Sequence, residues 1–372
     1  MVRTFAADLL RSLAPRVGNT VWSPWSIATA LALARAGAAD VTAEQMDAVL
    51  GVEGADAATS IGGLQRHLLG LAGPVRTAGG GDGELALRAA NALWVQSGFG
   101  LDPRFLATVE TDHGAGVRTV DFAGAVDTAR SAINSWVAHA TAGRIPDLIA
   151  PGVLDPLSRL VLTNAVHLLA PWHRPFADAR THPFSAPGGR TVKARLMDLT
   201  AALAYKREPG WQAVTLPYAG RTLAMTVVVP DAGGFDAVER AADLERWLAP
   251  APERSVHLRL PRFAVEAGAS LAPVLAGLGM PAAFDPDAAD FSAMTTDEAL
   301  HISAVEHRAT ITVDEQGTEA AAATAVVMAV RTSLVRPAPP LELIVDRPFL
   351  FVVHDVEHRA PLFTGRVLDP TA

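Results

Sequence analysis

A chain of 372 residues that is 50 % apolar and 19 % charged can bury a large core, which excludes a disordered protein. Its net charge of -8, with lysine only at Lys193 and Lys206, leaves no clustered basic segment of the kind nucleic acids and other polyanions require. The absence of cysteine excludes disulfides and thiolate chemistry and leaves the redox compartment open.

At the N-terminus, Asp8 interrupts the apolar core that a secretory signal needs. No leader is read there, so the expected location is the cytoplasm or, after removal of a leader, outside it. Ser23-Pro24 predicts a helix start, because serine caps free backbone N–H groups and proline tolerates the first turn; the apolar stretch 27–36 follows. Thr42-Ala43-Glu44-Gln45 has the spacing of a capping box and predicts another helix before Met46, Val49 and Leu50. The run Gly79-Gly80-Gly81-Asp82-Gly83 reads as a flexible connection, since a phosphate loop needs a following helix with Lys and Ser/Thr. A strand is expected over 85–95, then helices over 103–109 and 126–140. Residues 160–169 are nearly all apolar, as in a strand covered on both faces. Further strands are expected over 212–216, 223–229, 256–263, 300–314, 341–345, 349–353 and 362–367, with helices over 235–247 and 271–278. No repeat or linker divides the chain, so residues 1–372 read as one mixed α+β domain.

Residues 316–340 fit no ordinary element. They open Gln316-Gly317-Thr318-Glu319-Ala320-Ala321-Ala322-Ala323-Thr324, run through Val326-Val327-Met328-Ala329-Val330-Arg331-Thr332, and end Pro337-Ala338-Pro339-Pro340. A connection this long without turn chemistry is functional or disordered. Its alanines favour helix, while Gly317, Thr324, Val326 and Val327 oppose it, so helix, extended loop and added strand all stay open. At 320–330 the weakly polar run is too short to span a membrane. As a strand it places Thr318, Ala320, Ala322, Thr324, Val326 and Met328 on one small or apolar face and Glu319 on the other. A segment that suits both an exposed loop and a sheet strand is bistable.

These residues resemble the serpin family, whose loop insertion is a known case of strand addition and switching. The hinge from Asp314 and Glu315 through Gly317 to Thr324 carries the resemblance, and Leu343-Ile344-Val345-Asp346-Arg347-Pro348-Phe349-Leu350-Phe351 is similar to the family's C-terminal signature. Further blocks occur in family order: Val21-Trp22-Ser23-Pro24-Trp25-Ser26-Ile27, Ile133-Asn134-Ser135-Trp136-Val137, Leu162-Thr163-Asn164-Ala165-Val166 with Trp172, and Ala289-Asp290-Phe291-Ser292. The resemblance implies three β-sheets with eight or nine helices and an exposed reactive-centre loop at about 316–340. It also implies a suicide inhibitor of serine proteases with no catalytic residue, cofactor or metal of its own. Such a protein is a monomer prone to loop–sheet polymerisation, with a target protease as its partner and neither nucleic acid nor membrane. Ser23, Ser26, Asn164 and His307 would form the polar shutter beneath the main sheet, and Trp172 and Glu315 the breach where the loop enters. Thr318 would be the first inward-facing residue of the inserting segment, exposed before insertion and buried after it.

In the family's loop the cleaved bond follows the fourteenth residue after the hinge glycine, which from Gly317 is Arg331, with Thr332 after the bond. A guanidinium there suits the acidic pocket of trypsin-like proteases; Arg336 is the alternative basic position. Two other readings compete. A binding or carrier serpin is opposed by the small residues Thr318 and Ala320 to Ala323. A zinc peptidase is raised by His354-Asp355-Val356-Glu357-His358, which fits H-x-x-E-H; that chemistry needs both histidines on one helix face, whereas here two expected strands flank the motif.

Overall fold

The computed structural model describes residues 2–13, 18–52, 56–113, 116–318 and 339–372. Glu319, Ala320, Ala321, Ala322, Ala323, Thr324, Arg331, Thr332 and Arg336 therefore lie outside the described residues. Among those described there are nine α-helices and sixteen strands, and no helix is long and apolar enough to cross a membrane.

In chain order the strands are β1 (Thr20–Trp22), β2 (Gly73–Arg76), β3 (Asp82–Gln96), β4 (Val117–Val120), β5 (Leu160–Pro171), β6 (Ala177–Ala186), β7 (Arg190–Glu208) and β8 (Trp211–Pro217). They continue with β9 (Leu223–Pro230), β10 (Glu253–Pro261), β11 (Phe263–Ser270), β12 (Ile302–Val313), β13 (Gly317–Thr318), β14 (Leu341–Ile344), β15 (Phe349–Asp355) and β16 (Pro361–Val367). One sheet runs β11-β12-β13-β5-β3-β2, with β4 on β3; the other runs β1-β16-β15-β9-β8-β7-β10-β14, with β6 on β7. The second and third expected sheets share β7, which pairs with β6 and β10 along most of its length and with β8 from Ala204 to Glu208.

Local chemistry explains the first helix of the interior. The Ser23 hydroxyl accepts from the Ser26 N–H at 3.2 Å and Pro24 occupies the first turn of Pro24–Arg35. Residues 24–34 are all buried, so this helix runs through the core with no solvent face. The capping box expected at Thr42 does not form. The helix starts earlier, at Asp40–Leu50, and Thr42 is buried inside it. Its hydroxyl accepts from the Asp290 N–H at 2.9 Å, and the Gln45 side-chain oxygen accepts from the Ala282 N–H at 2.9 Å. Distant backbone donors took the groups that local spacing assigned to a cap.

Helix Phe122–Ala140 is capped by Asp121, which accepts from the Gly124 N–H at 2.8 Å. Its Phe122, Ile133 and Val137 pack with Ala90, Trp94, Val161 and Ala165 of β3 and β5, so the helix covers one face of the first sheet. The other face meets the second sheet in a core that includes Val166, Leu168, Trp172, Leu216, Phe349 and Phe351.

The expected helix over 235–247 is two helices, Phe235–Ala241 and Leu244–Leu248, broken where Ala242 has φ 44° and Asp243 caps the second. The expected strand over 256–263 is split between sheets: β10 ends at Pro261 and β11 starts at Phe263, with the Arg262 N–H held by the Arg195 carbonyl at 2.8 Å. The glycine run is a closed hairpin turn between β2 and β3, in which the Thr77 N–H donates to the Gly81 carbonyl and Gly80 takes φ 79°. Strands β6 and β7 have no counterpart among the expected elements. Ala, Asp and Pro in β6 and Ala, Lys and Asp in β7 are weak strand formers, and pairing with neighbours decides their state.

Candidate functional site

The first sheet contains a seam. β12 and β5 run parallel and pair directly from Ile302 opposite Leu160 to Ala309 opposite Val166. Farther along, β13 lies between them, with Thr318 paired to both Val313 and Ala170 and Gly317 to Pro171. A Cβ on Gly317 would lie 2.3 Å from the Ala170 carbonyl oxygen and 2.6 Å from the Pro171 Cα. The close backbone approach therefore requires glycine.

Thr318 is fully buried, which corrects the expectation that it is exposed before the loop inserts. Its hydroxyl is 2.6 Å from the Tyr218 hydroxyl. Tyr218 stacks on Trp172 with ring centroids 4.5 Å apart and an interplanar angle of 7°, and burial raises its pKa. Trp172 holds the approach to β13 twice: its indole N–H donates to the Asp314 carbonyl at 2.9 Å and its backbone N–H to the Gln316 carbonyl at 2.8 Å. Burial disfavours charge on Glu315, but hydrogen bonds from Arg262 and the Ala179 N–H outweigh it and hold the carboxyl below the usual carboxylate range. Trp172 and Glu315 thus meet at the end of the seam where β13 sits.

Near the middle of the seam lies a polar row. Asn91 on β3, Asn164 on β5 and His307 on β12 are in register across three neighbouring strands. The Ser23 backbone N–H donates to His307 Nε2 at 3.3 Å, so that nitrogen carries no proton and Nδ1–H donates to Asn164 Oδ1. Burial pushes the imidazole pKa down to about 3, in keeping with a neutral ring. The Asn164 amide donates to the Ser26 hydroxyl at 2.7 Å and to Asn91 Oδ1 at 2.9 Å, and the Ser26 hydroxyl donates to Asn91 Oδ1 at 2.7 Å. Ser23, Ser26, Asn164 and His307 therefore form one hydrogen-bonded cluster with Asn91.

Sequence reasoning passed over Asn91, Tyr218 and Arg262. A lone asparagine among Ala89, Ala90, Ala92 and Leu93 was a signal, because a buried amide needs partners. Tyr218 and Arg262 carry no local mark. The His354–His358 motif is a strand end and a turn. His354 is buried, its Nε2 lies 3.0 Å from the Thr226 hydroxyl, and burial lowers its pKa to about 4; His358 sits on the turn beyond Asp355.

A family model described as Serpin (serine protease inhibitor) matches residues 1–370. An uncharacterized serpin-like protein of Thermococcus kodakarensis is 38 % identical over 99 % of this chain and 85 % of its own length. The leukocyte elastase inhibitor of Bos taurus is 32 % identical over 98 % of this chain and 97 % of its own. Among solved structures, Serpin48 of the insect Tenebrio molitor superposes with a TM-score of 0.85 at 28 % identity, covering 99 % of this chain and 96 % of that one. A fold of two joined sheet layers with a parted seam, matched along nearly its whole length, defines the class: the chain belongs to the serpin family.

Proposed function

We propose that this chain is an inhibitory serpin, one domain over its whole length, cut after Arg331 by a trypsin-like serine protease that it then traps. The observation that supports this reading best is the position of Gly317 and Thr318 between β12 and β5, at the head of the small-residue segment Ala320 to Ala323. The target's serine attacks the Arg331 carbonyl, the bond to Thr332 breaks, and the Thr332 amine leaves while Arg331 stays bound as an ester. The freed segment then extends β13 along the seam. Asn164 and His307 must part as it passes, and Ser23, Ser26 and Asn91 offer the exchange partners that spare their polar groups from burial without hydrogen bonds. Trapping succeeds when insertion outruns deacylation.

The bovine relative is named for elastase. Arg331 points instead to a protease with an acidic primary pocket, since a guanidinium pairs there with a desolvated carboxylate. The uncut chain is a kinetic trap on this reading, so gentle heating yields inactive monomers or loop–sheet polymers. Mass spectrometry of a mixture with trypsin tests the reading. A covalent complex with cleavage after Arg331 supports it. Cleavage there with free, active trypsin assigns the chain to the binding or carrier class, and cleavage after Arg336 moves the bait bond.

A further inference from the structure

The turn joining β15 to β16 meets helix Asp56–Gly70 at a cluster that inhibition does not use. The Asp355 side chain is 1 % exposed, and both of its oxygens are engaged by histidines. His67 Nε2 lies 3.2 Å from Oδ1 and His358 Nδ1 lies 2.9 Å from Oδ2, while the His358 backbone N–H donates to Oδ2 at 2.6 Å. The two rings meet edge to face with centroids 4.7 Å apart. His67, Glu357 and His358 each offer a ligand atom, and the three atoms lie within 4.8 Å of one another. Glu357 and His358 are exposed and His67 is half-buried, so the cluster is open to solvent.

Two imidazoles and a carboxylate are the donor set of a borderline-soft divalent ion such as zinc. A buried carboxylate that fixes the ring orientation of metal-ligating histidines is the usual outer support of such sites. We propose that His67, Glu357 and His358 bind one divalent transition-metal ion of the zinc class, with Asp355 as the positioning residue. The ligands differ from the H-x-x-E-H set, because His354 points into the core and His67 comes from a distant helix. The site clips that helix to the turn. Val356, the first residue of the turn, lines the same cavity as Trp172 and His173, so the clip stands beside the end of the seam where β13 lies.

The test uses the full chain stripped with a chelator and titrated with zinc chloride by calorimetry, and with cobalt(II) by visible absorption. One equivalent of zinc with micromolar or tighter affinity, cobalt bands of a low-symmetry nitrogen and oxygen site, and a melting temperature that rises with zinc are expected. His67→Ala and His358→Ala each weaken binding tenfold or more and abolish the thermal shift, while Asp355→Asn weakens binding by about 10- to 100-fold. Circular dichroism of the His67→Ala and His358→Ala variants keeps a lost site distinct from a lost fold. No zinc binding in the micromolar range, or binding unchanged in the His67→Ala/His358→Ala double variant, overturns the proposal and leaves Asp355 as a turn cap only.

Discussion

His307 and Asn164 face each other in register across the seam between β12 and β5, joined by a hydrogen bond from the imidazole Nδ1–H to the amide oxygen. Both are buried, and the bond spans the path that an incoming strand would take. Neighbouring Ser23 and Ser26 come from the start of helix Pro24–Arg35, so the seam is tied to the helix beneath it as well as across the sheet.

Protonation should weaken this arrangement. The ordinary histidine pKa of 6.5 falls to about 3 in His307 and about 4 in His354, in both cases chiefly through burial. Between the folded and unfolded values the unfolded chain binds more protons, so stability is complete above pH 6.5 and declines as pH falls toward 4 and 3. Each pH unit in that window costs up to about 1.4 kcal/mol per histidine. Urea unfolding at fixed low temperature, measured from pH 7.5 to 4.5, should show the decline, and His307→Gln should flatten it. An equal slope in wild type and variant would refute the assignment.

Gly317→Ala should expel β13. Its new Cβ meets backbone of Ala170 and Pro171, which cannot swing aside as a side chain can, and overpacking of this kind costs about 1–3 kcal/mol. Hydrogen exchange should show lost protection at the amides of 316–318, with β12 unchanged from Ile302 to Ala309, where it pairs directly with β5. Full protection at those amides would mean the strands accommodate the methyl group.

Thr318→Arg should act on both the uncut and the cut protein. Thr318 is already buried against Tyr218, so the substitution removes a contact of the uncut state and also places a charge in the path of insertion, costing about several kcal/mol if it is left unpaired. A rise of about 2.7 kcal/mol in the insertion barrier slows it roughly a hundredfold. Trypsin should cut the variant and walk away active, at a stoichiometry far above that of the wild type. The uncut variant should also melt differently from wild type. Undiminished trapping would exclude insertion through this hinge.

Arg331→Ala should abolish trypsin inhibition while the melting profile of the uncut protein stays as it was, because the guanidinium supplies the contact with the acidic pocket. Inhibition assays and mapping of the cleaved bond read the outcome. Retained inhibition with cleavage after Arg336 would show that the bait bond lies farther along.

Local chemistry was readable from the residues themselves. Ser23-Pro24 marks a helix start from local chemistry alone, because a hydroxyl cap and a ring without an N–H suit the first turn, and the apolar run in β5 declares a strand buried on both faces. The segment opening at Gly317 stood out for the same reason, because its small and β-branched residues suit helix, loop and strand alike, though of the expected hinge only the part up to Thr318 lies among the described residues. Tertiary structure decided what depends on distant partners. Thr42 had the spacing of a cap, yet Asp290 claimed its hydroxyl. Strand β7 became a strand through its neighbours, despite weak local preference. Thr318 is buried before any cleavage because Val313 and Ala170 close on either side of it, and Tyr218 reaches it from a hundred residues away. Such contacts join groups far apart in the chain, and their free energy comes from desolvation and pairing that exist only once the sheets are assembled.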